Sequence, residues 1–343
     1  MMTRRGFLAA ASMTPLMYSA DTSPRTGVDL FSLRSQKWTP FESLDYCARL
    51  GAKLVHFSEL QYLGSLDEAN LRQVREHASK LGVAIEIGTR TCCPTSKSFD
   101  PKLGTAEEQM LRAINVARVT GSLLVRTFMG TSADRDPAGG GIARHMEAMA
   151  RLLNSLRSRI TDLNLKIAIE NHAGDMQARE LKSLVEMSGK DYVGVCLDAG
   201  NPLWALEDPH LTLDMLHPYV LTTHVRDTAV WRVPQGAAVA WVRMGDGNVG
   251  IGEWVAKLRR LRPELPVTLE IIVTTARIFP YFDEKFWDPY RNQPAWEFAR
   301  FVKIAERGHA RDPLPQLQGE ASLARERADL EASLTFTRNI LNV

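Results

Sequence analysis

The sequence predicts an α/β chain folded as a (β/α)₈ barrel with an extra C-terminal helix. Three observations carry this. Short apolar runs and amphipathic stretches alternate eight times between Val28 and Gly308, and parallel strands separated by helices read this way. Eight is the number of strands that closes a barrel with its helices outside. An open doubly wound sheet usually carries a glycine-rich turn after its first strand, but Leu33-Arg34-Ser35-Gln36 stands there instead. At 343 residues the chain is long enough to bury one sizeable core of this kind.

Taken in order, residues 28–33 read as the first strand, and Phe41, Leu44, Cys47 and Ala48 recur at helical spacing up to Gly51. Residues 54–57 form the second strand, followed by a helix through Leu71, Val74, Ala78 and Leu81. Residues 83–87 form the third, and Thr105-Ala106-Glu107-Glu108 is a capping box that opens a helix ending at Gly121. Residues 123–128 form the fourth strand and 142–160 one long amphipathic helix. The fifth strand covers 167–169, with a helix through Leu181, Leu184, Val185 and Met187. The sixth covers 193–197, and Asp208-Pro209 supplies an N-cap with Pro at the first helical position. Residues 220–225 and 267–273 form the last two strands, with helices over 254–261 and 294–305. The longest insertion, 227–251, is expected as a glycine-rich loop holding Trp231 and Trp241, and long loops at barrel mouths are commonly functional.

Both ends of the chain differ from this pattern. Residues 1–20 read as an export signal, because Thr3-Arg4-Arg5-Gly6-Phe7-Leu8 is a twin-arginine pattern before an apolar run too short to span a bilayer. Such a leader directs a protein to the periplasm or cell envelope, with no stable membrane insertion once it is removed. Tyr18 is bulky where a small residue is expected, so the cleavage point stays open. After the breaker Asp312-Pro313-Leu314-Pro315, residues 320–341 read as a charged helix with Leu323, Leu330 and Leu334 on one side. That stripe covers either the barrel exterior or a second copy of the chain. The expected division is therefore a signal at 1–20, a barrel at 21–308 and a mostly helical extension at 309–343.

Composition narrows the function. With 45% apolar and 24% charged residues the chain is ordinary globular protein, not collagen-like, disordered or held by a disulfide framework. Beyond residues 1–20, basic and acidic side chains balance at 40 each. A neutral body lacks the basic footprint of a nucleic-acid binder, and no such partner is expected. Cys47 and Cys196 read as buried thiols, and the adjacent Cys92-Cys93 lack the Cys-x-x-Cys spacing of redox or zinc sites.

Polar residues gather where the strands end. The fifth strand closes on Glu170-Asn171-His172, the sixth on Asp198-Ala199-Gly200-Asn201, the seventh on His224-Val225-Arg226-Asp227, and the eighth carries Glu270. In a (β/α)₈ barrel these positions share the active-site rim. Three carboxylates and one imidazole form a hard, oxygen-rich set, and three anions packed together without a cation would repel one another. The expected cofactor is one divalent ion held by Glu170, Asp198, His224 and Glu270, with Mn²⁺ first and Mg²⁺, Co²⁺ or Zn²⁺ as alternatives.

These motifs, together with Gly245-Asp246-Gly247, resemble the sugar phosphate isomerase/epimerase family, whose fold is the xylose isomerase-like TIM barrel. The resemblance covers about Val28 to Gly308. It implies that the same four residues bind the metal, and that Glu170 and Glu270 are catalytic, moving protons on opposite faces of a small carbohydrate. Asn201, His172, Arg226 and Asp227 are expected to contact substrate. The family's ketose epimerases carry a His where Asn201 stands and an Arg where Val230 stands. The expected activity is isomerisation or epimerisation of a sugar or cyclitol, through proton abstraction next to a carbonyl and a metal-stabilised enediolate. A metal-dependent lyase or hydrolase acting on a keto-glycoside shares that first step and is the alternative. A non-catalytic sugar-binding protein and an abasic-site endonuclease stand behind both. A homo-oligomer is left open by the C-terminal stripe.

Overall fold

The computed structural model describes residues 25–342, so the expected export signal at residues 1–20 lies outside the described residues. Seven strands come first: β1 (Thr26–Asp29), β2 (Leu54–Phe57), β3 (Ala84–Gly88), β4 (Leu124–Phe128), β5 (Lys166–Glu170), β6 (Val193–Asp198) and β7 (Val220–His224). A hairpin of β8 (Asp227–Val233) and β9 (Gly236–Val242) follows, then β10 (Val267–Leu269) and β11 (Arg277–Phe279). One parallel sheet runs β10-β1-β2-β3-β4-β5-β6-β7. Val225 and Leu269 close it into a barrel, with the Val225 N–H donating to Thr268 O at 2.7 Å and the Glu270 N–H to Val225 O at 3.2 Å. β10 is thus the eighth barrel strand.

The helices are α1 (Pro40–Arg49), α2 (Glu68–Lys80), α3 (Ala106–Thr120), α4 (Gly141–Ser155), α5 (Arg157–Asp162), α6 (Ala178–Ser188), α7 (Pro209–Leu216), α8 (Ile251–Leu261), α9 (Ala295–Glu306) and α10 (Gly319–Leu341). Their starts follow local chemistry. Thr105 Oγ1 accepts from Glu108 N–H while Glu108 Oε2 accepts from Thr105 N–H at 2.8 Å, and Asp208 accepts from His210 N–H at 2.8 Å with Pro209 opening α7. Among the described residues, no helix is long and apolar enough to cross a membrane.

Four expectations are revised. The first strand stops at Asp29 because its carboxylate accepts the Phe31 N–H at 2.8 Å and turns the chain into a 3₁₀ segment over Leu30–Leu33. The helix expected over 142–160 divides at Leu156, whose N–H turns back to Leu153 O at 3.2 Å. Residues 227–251 are not mainly loop: β8 and β9 pair antiparallel from Asp227↔Val242 to Val233↔Gly236, and β11 adds a third strand to them. Finally, α9 packs on β8, whereas α10 lies against α8, β1 and β10. The C-terminal helix therefore occupies the eighth-helix place in the barrel wall, with Leu330 and Leu334 buried there.

The core lies between strands and helices, where Val28, Val55, Ile87, Val125, Ile169 and Leu197 are buried. Alternate strand positions face the barrel interior. There the chain places Asp29, His56, Glu86, Arg126, Glu170, Asp198 and His224, all buried. This polar interior positions the site.

Candidate metal centre and active site

Glu170 ends β5, Asp198 ends β6, His224 ends β7 and Glu270 follows β10, so four elements deliver four side chains to one rim. All four are buried, and one ligand atom from each lies within 4.8 Å of the others. Asn171 ties the first two together, donating to Asp198 O and accepting from Asp198 N–H at 2.9 Å each. His224 Nδ1 sits 3.2 Å from Oε2 of both Glu170 and Glu270, yet neither ring nitrogen makes a hydrogen bond among the described residues. A buried imidazole nitrogen that converges with two carboxylate oxygens is the donor arrangement of a shared cation site. The donor set fits a divalent ion.

Two arginines share these carboxylates. Arg126, on β4, pairs with Glu170 Oε2, and Arg226 pairs with Glu270 Oε2 and with Asp198 Oδ2, Nε lying 2.8 Å from the latter. The expectation that three anions need a metal for charge balance is therefore only part of the account, since two guanidiniums already offset them. Burial alone would raise the Glu170 carboxyl, but Arg126 and His224 hold it well below the ordinary range. Burial likewise opposes Glu270, which Arg226 draws down to about 2. At Asp198 burial wins over Arg226 and pushes the carboxyl up to about 7. Burial would lower His224, but nearby Cys196, Glu170 and Asp29 raise it well above the usual imidazole value.

Beneath the four side chains a polar column runs down the barrel. Asp29 Oδ2 lies 3.4 Å from His224 Nε2, the His56 and His224 rings meet edge to face at 4.7 Å, and Glu86 faces His56 Nδ1 at 3.1 Å. Thr222 donates to Glu86 at 2.8 Å. Together with Arg126, these residues were missed from sequence. Their signal was a single ionisable residue inside an apolar strand, as in Ile85-Glu86-Ile87 and Val125-Arg126-Thr127.

The remaining expected contacts divide. Asn201 donates its amide to Glu170 Oε1 at 3.2 Å, and Arg226 reaches the carboxylates over Gly200, where a Cβ would collide with its stem. His172 stacks on Phe128 at 3.9 Å and donates Nδ1–H to Gly130 O at 2.9 Å, because a carbonyl can only accept. Its neutral ring, favoured by burial, then carries its lone pair on Nε2. The Asp227 carboxylate accepts from the N–H groups of Thr228, Gly245 and Gly247 at 2.7, 3.0 and 2.9 Å, so it shapes the Gly245-Asp246-Gly247 turn. The hairpin also builds an aromatic wall: Trp241 stacks on Trp204 at 4.4 Å, with Arg226 over the first and Arg277 over the second.

Comparison with known proteins agrees with this fold. Residues 44–286 match the family described as xylose isomerase-like TIM barrel. A 3-oxo-isoapionate decarboxylase from Pectobacterium atrosepticum is 27% identical over 189 residues, which is 55% of this chain and 61% of that protein. This chain thus spans about three fifths of that curated relative. A D-psicose 3-epimerase structure determined with D-fructose aligns with a TM-score of 0.60 at 17% identity, covering 93% of this chain and all of that one. A 3-keto-D-glucoside 4-epimerase from E. coli aligns with a TM-score of 0.56 at 12% identity, covering 81% of this chain and all of that one. At such identities the two structures speak for the fold alone.

Proposed function

The chain belongs to the xylose isomerase-like TIM barrel family, and from that premise we propose that it is a divalent-metal-dependent isomerase or epimerase of a sugar or cyclitol. One observation carries the reading: His224 Nδ1 faces Glu170 and Glu270 at 3.2 Å each, with Asp198 beside them. Glu170, Asp198, His224 and Glu270 hold the ion, most readily Mn²⁺ for an oxygen-rich set with one imidazole. When bound, the ion supplies a Lewis acid that stabilises negative charge on substrate oxygens. The protein does the rest. Glu170 and Glu270 come from strands on different sides of the rim, so one removes a proton next to the substrate carbonyl and the other returns one to the opposite face. Arg126 and Arg226 keep both carboxylates ionised and oriented. Burial excludes water while the carbanion exists.

A second reading rests on Asn201, an amide that cannot shuttle a proton, and on the Trp204–Trp241 wall, which is broad enough to face a leaving group. In it the same base removes the proton next to the carbonyl and a group β to the carbanion departs with the electron pair. In a decarboxylation, for which the similar decarboxylase speaks, CO₂ would leave its bonding pair on the carbon next to the carbonyl and a glutamic acid would return a proton there. Metal-loaded protein incubated in D₂O with free ketoses and with a 3-keto-glycoside separates the readings. Deuterium on an intact sugar supports the epimerase, and aglycone release without exchange replaces it with the lyase.

We further propose that residues 1–20 export the folded protein by the twin-arginine route. Changing Arg4→Lys together with Arg5→Lys should retain it in the cytoplasm, since the pair is read by a receptor and not as charge. Unchanged export removes this assignment.

A further inference from the structure

Five buried polar atoms without a hydrogen-bond partner among the described residues belong to one group of neighbouring side chains: Arg226 Nη1, Trp204 Nε1, Trp241 Nε1, Thr228 Oγ1 and Asn201 Oδ1. Their adjacency is direct. The Arg226 guanidinium lies 4.4 Å from the Trp241 ring centroid, and Trp241 stacks on Trp204 at 4.4 Å with 22° between planes. Thr228 and Trp241 are register partners across the hairpin. A Cβ placed at Gly200 would collide with the Arg226 stem and lie 3.0 Å from Thr228 Oγ1, so both side chains converge on the residue before Asn201. The absence of a side chain at position 200 keeps that approach open.

Buried polar groups are nearly always paired, and one left alone costs about 1–3 kcal/mol. Several together beside the candidate metal ligands mark a place where a ligand would supply the partners. The chemistry of the set states which ligand. Arg226 Nη1 and the two indole nitrogens only donate, and Thr228 can donate as well. Asn201 Oδ1 is the single atom that only accepts, and the Asn201 amide nitrogen already donates one of its two hydrogens to Glu170 at 3.2 Å. A sugar hydroxyl needs an acceptor for its own proton. A carboxylate only accepts, and it pairs with a guanidinium through charge-assisted bonds. At the outer end Arg277 lies 5.2 Å over Trp204, exposed, with Ser132 Oγ at 3.3 Å as its hydrogen-bond partner and no carboxylate within ion-pair distance among the described residues. The stacked indole pair thus has a guanidinium at each end: Arg226, paired with Asp198 and Glu270 but with Nη1 unpartnered, and the exposed Arg277.

We propose that Arg226, Trp204, Trp241 and Thr228, with Asn201 at the edge next to the metal ligands, form a subsite for a substrate carboxylate, so that the substrate class is a keto-sugar acid and not a neutral ketose. This rests on the reading of the neighbouring centre as a metal-dependent sugar site, and it names which sugars that site takes.

Two ketoses that differ only at the terminal carbon test it: 5-keto-D-gluconate and L-sorbose, titrated calorimetrically into the full protein loaded with Mn²⁺. The acid should bind at least about tenfold more tightly than L-sorbose, as a charge-assisted pair requires. Trp241→Phe keeps the stack and deletes one N–H; Thr228→Val keeps the shape and deletes the hydroxyl. Each should weaken the acid about fivefold or more while leaving L-sorbose within about twofold, with melting temperatures confirming that both variants fold. Equal affinity for the two ketoses, no binding of either, or equal losses for both probes in the variants overturns the subsite. Mn²⁺ stoichiometry measured in the same titrations keeps the outcomes apart. A protein that binds one Mn²⁺ but shows no acid preference loses the subsite and retains the metal reading, and one that prefers the acid without binding Mn²⁺ does the reverse.

Discussion

Arg226 and Asp198 are joined twice, Nε and Nη2 lying 2.8 and 2.6 Å from the same carboxylate oxygen, while the other oxygen of Asp198 accepts the N–H groups of Gly200 and Asn201 at 2.7 Å each. The carboxylate is thereby fixed before any cation arrives. The same guanidinium also holds Glu270, so it neutralises two of the residues that would hold the ion, and metal and arginine compete for them.

Arg226→Met separates these effects. It removes the charge and keeps most of the stem, which leaves two buried carboxylates unpaired. The metal-free variant should lose about 3–5 kcal/mol of stability, the usual result of breaking a buried pair from one side. Mn²⁺ should bind it more tightly than the wild type and restore more stability. Paired denaturation curves with and without Mn²⁺ measure both; weaker Mn²⁺ binding by the variant would show that the arginine supports the ion instead of competing with it.

His224→Ala and Glu170→Gln should each abolish stoichiometric binding of Mn²⁺, because each removes a donor from a set whose atoms lie within 4.8 Å of one another. Elemental analysis after dialysis against trace metal reads this directly, and full occupancy in both variants refutes the assigned ligand set.

Asp227 has a structural role beside the expected contact with substrate. Asp227→Asn has one oxygen and can accept either from Gly245 and Gly247, which share Oδ2, or from Thr228 at Oδ1, but not from both sides. Gly247 itself has no room for a side chain, as a Cβ would collide with this carboxylate. The variant should lose about 1–3 kcal/mol of stability with Mn²⁺ affinity unchanged. Unaltered stability with impaired sugar binding would return Asp227 to the substrate.

The four expected metal ligands were legible because each closes an apolar run at the end of a strand, where the barrel topology alone makes them meet. Arg126, Asp29, His56 and Glu86 were not, because a lone polar residue in a strand of four or five is equally compatible with a solvent-facing side, and burial follows only when the eighth strand closes the ring. The β8–β9 hairpin left a readable trace: Pro234-Gln235-Gly236 is a turn between two apolar runs, yet glycines and tryptophans drew the segment toward loop. The places of α9 and α10 were not readable. Both follow the last barrel strand with an apolar side, and only long-range packing decides that α10 joins α8 and β1.

Glu207 carries a pH dependence away from the metal centre. Burial pushes its carboxyl up to about 8, against the opposing hydrogen bond from the Ala178 N–H. A folded-state value above the unfolded one means the folded protein holds the proton more tightly. The resulting stability is present below about pH 4.5 and is lost as pH rises through 8. Glu207→Gln keeps an acceptor for Ala178 and cannot ionise. Its melting temperature should gain on that of the wild type from pH 5 to about pH 8 and level off above it. Parallel pH profiles for the two proteins would refute the assignment.

His172 offers the last test, and its outcome follows from a hydrogen bond. Because Gly130 O can only accept, Nδ1 of His172 bears the proton and Nε2 of the neutral ring carries the lone pair. That leaves His172 able to accept from a substrate hydroxyl, the contact proposed for it. Asparagine at 172 places an amide nitrogen near Nδ1 and can keep the bond to Gly130, but it has nothing at Nε2. His172→Asn should therefore weaken both 5-keto-D-gluconate and L-sorbose by about fivefold, the worth of one neutral hydrogen bond, and leave Mn²⁺ affinity unchanged. The ring also stacks on Phe128 at 3.9 Å, so His172→Phe serves as the control that restores stacking without an acceptor. If His172→Phe binds both ketoses as well as the wild type, the imidazole only fills space against Phe128 and the contact to substrate is lost. If it binds them as poorly as His172→Asn while melting at the wild-type temperature, the Nε2 lone pair is what the sugar uses.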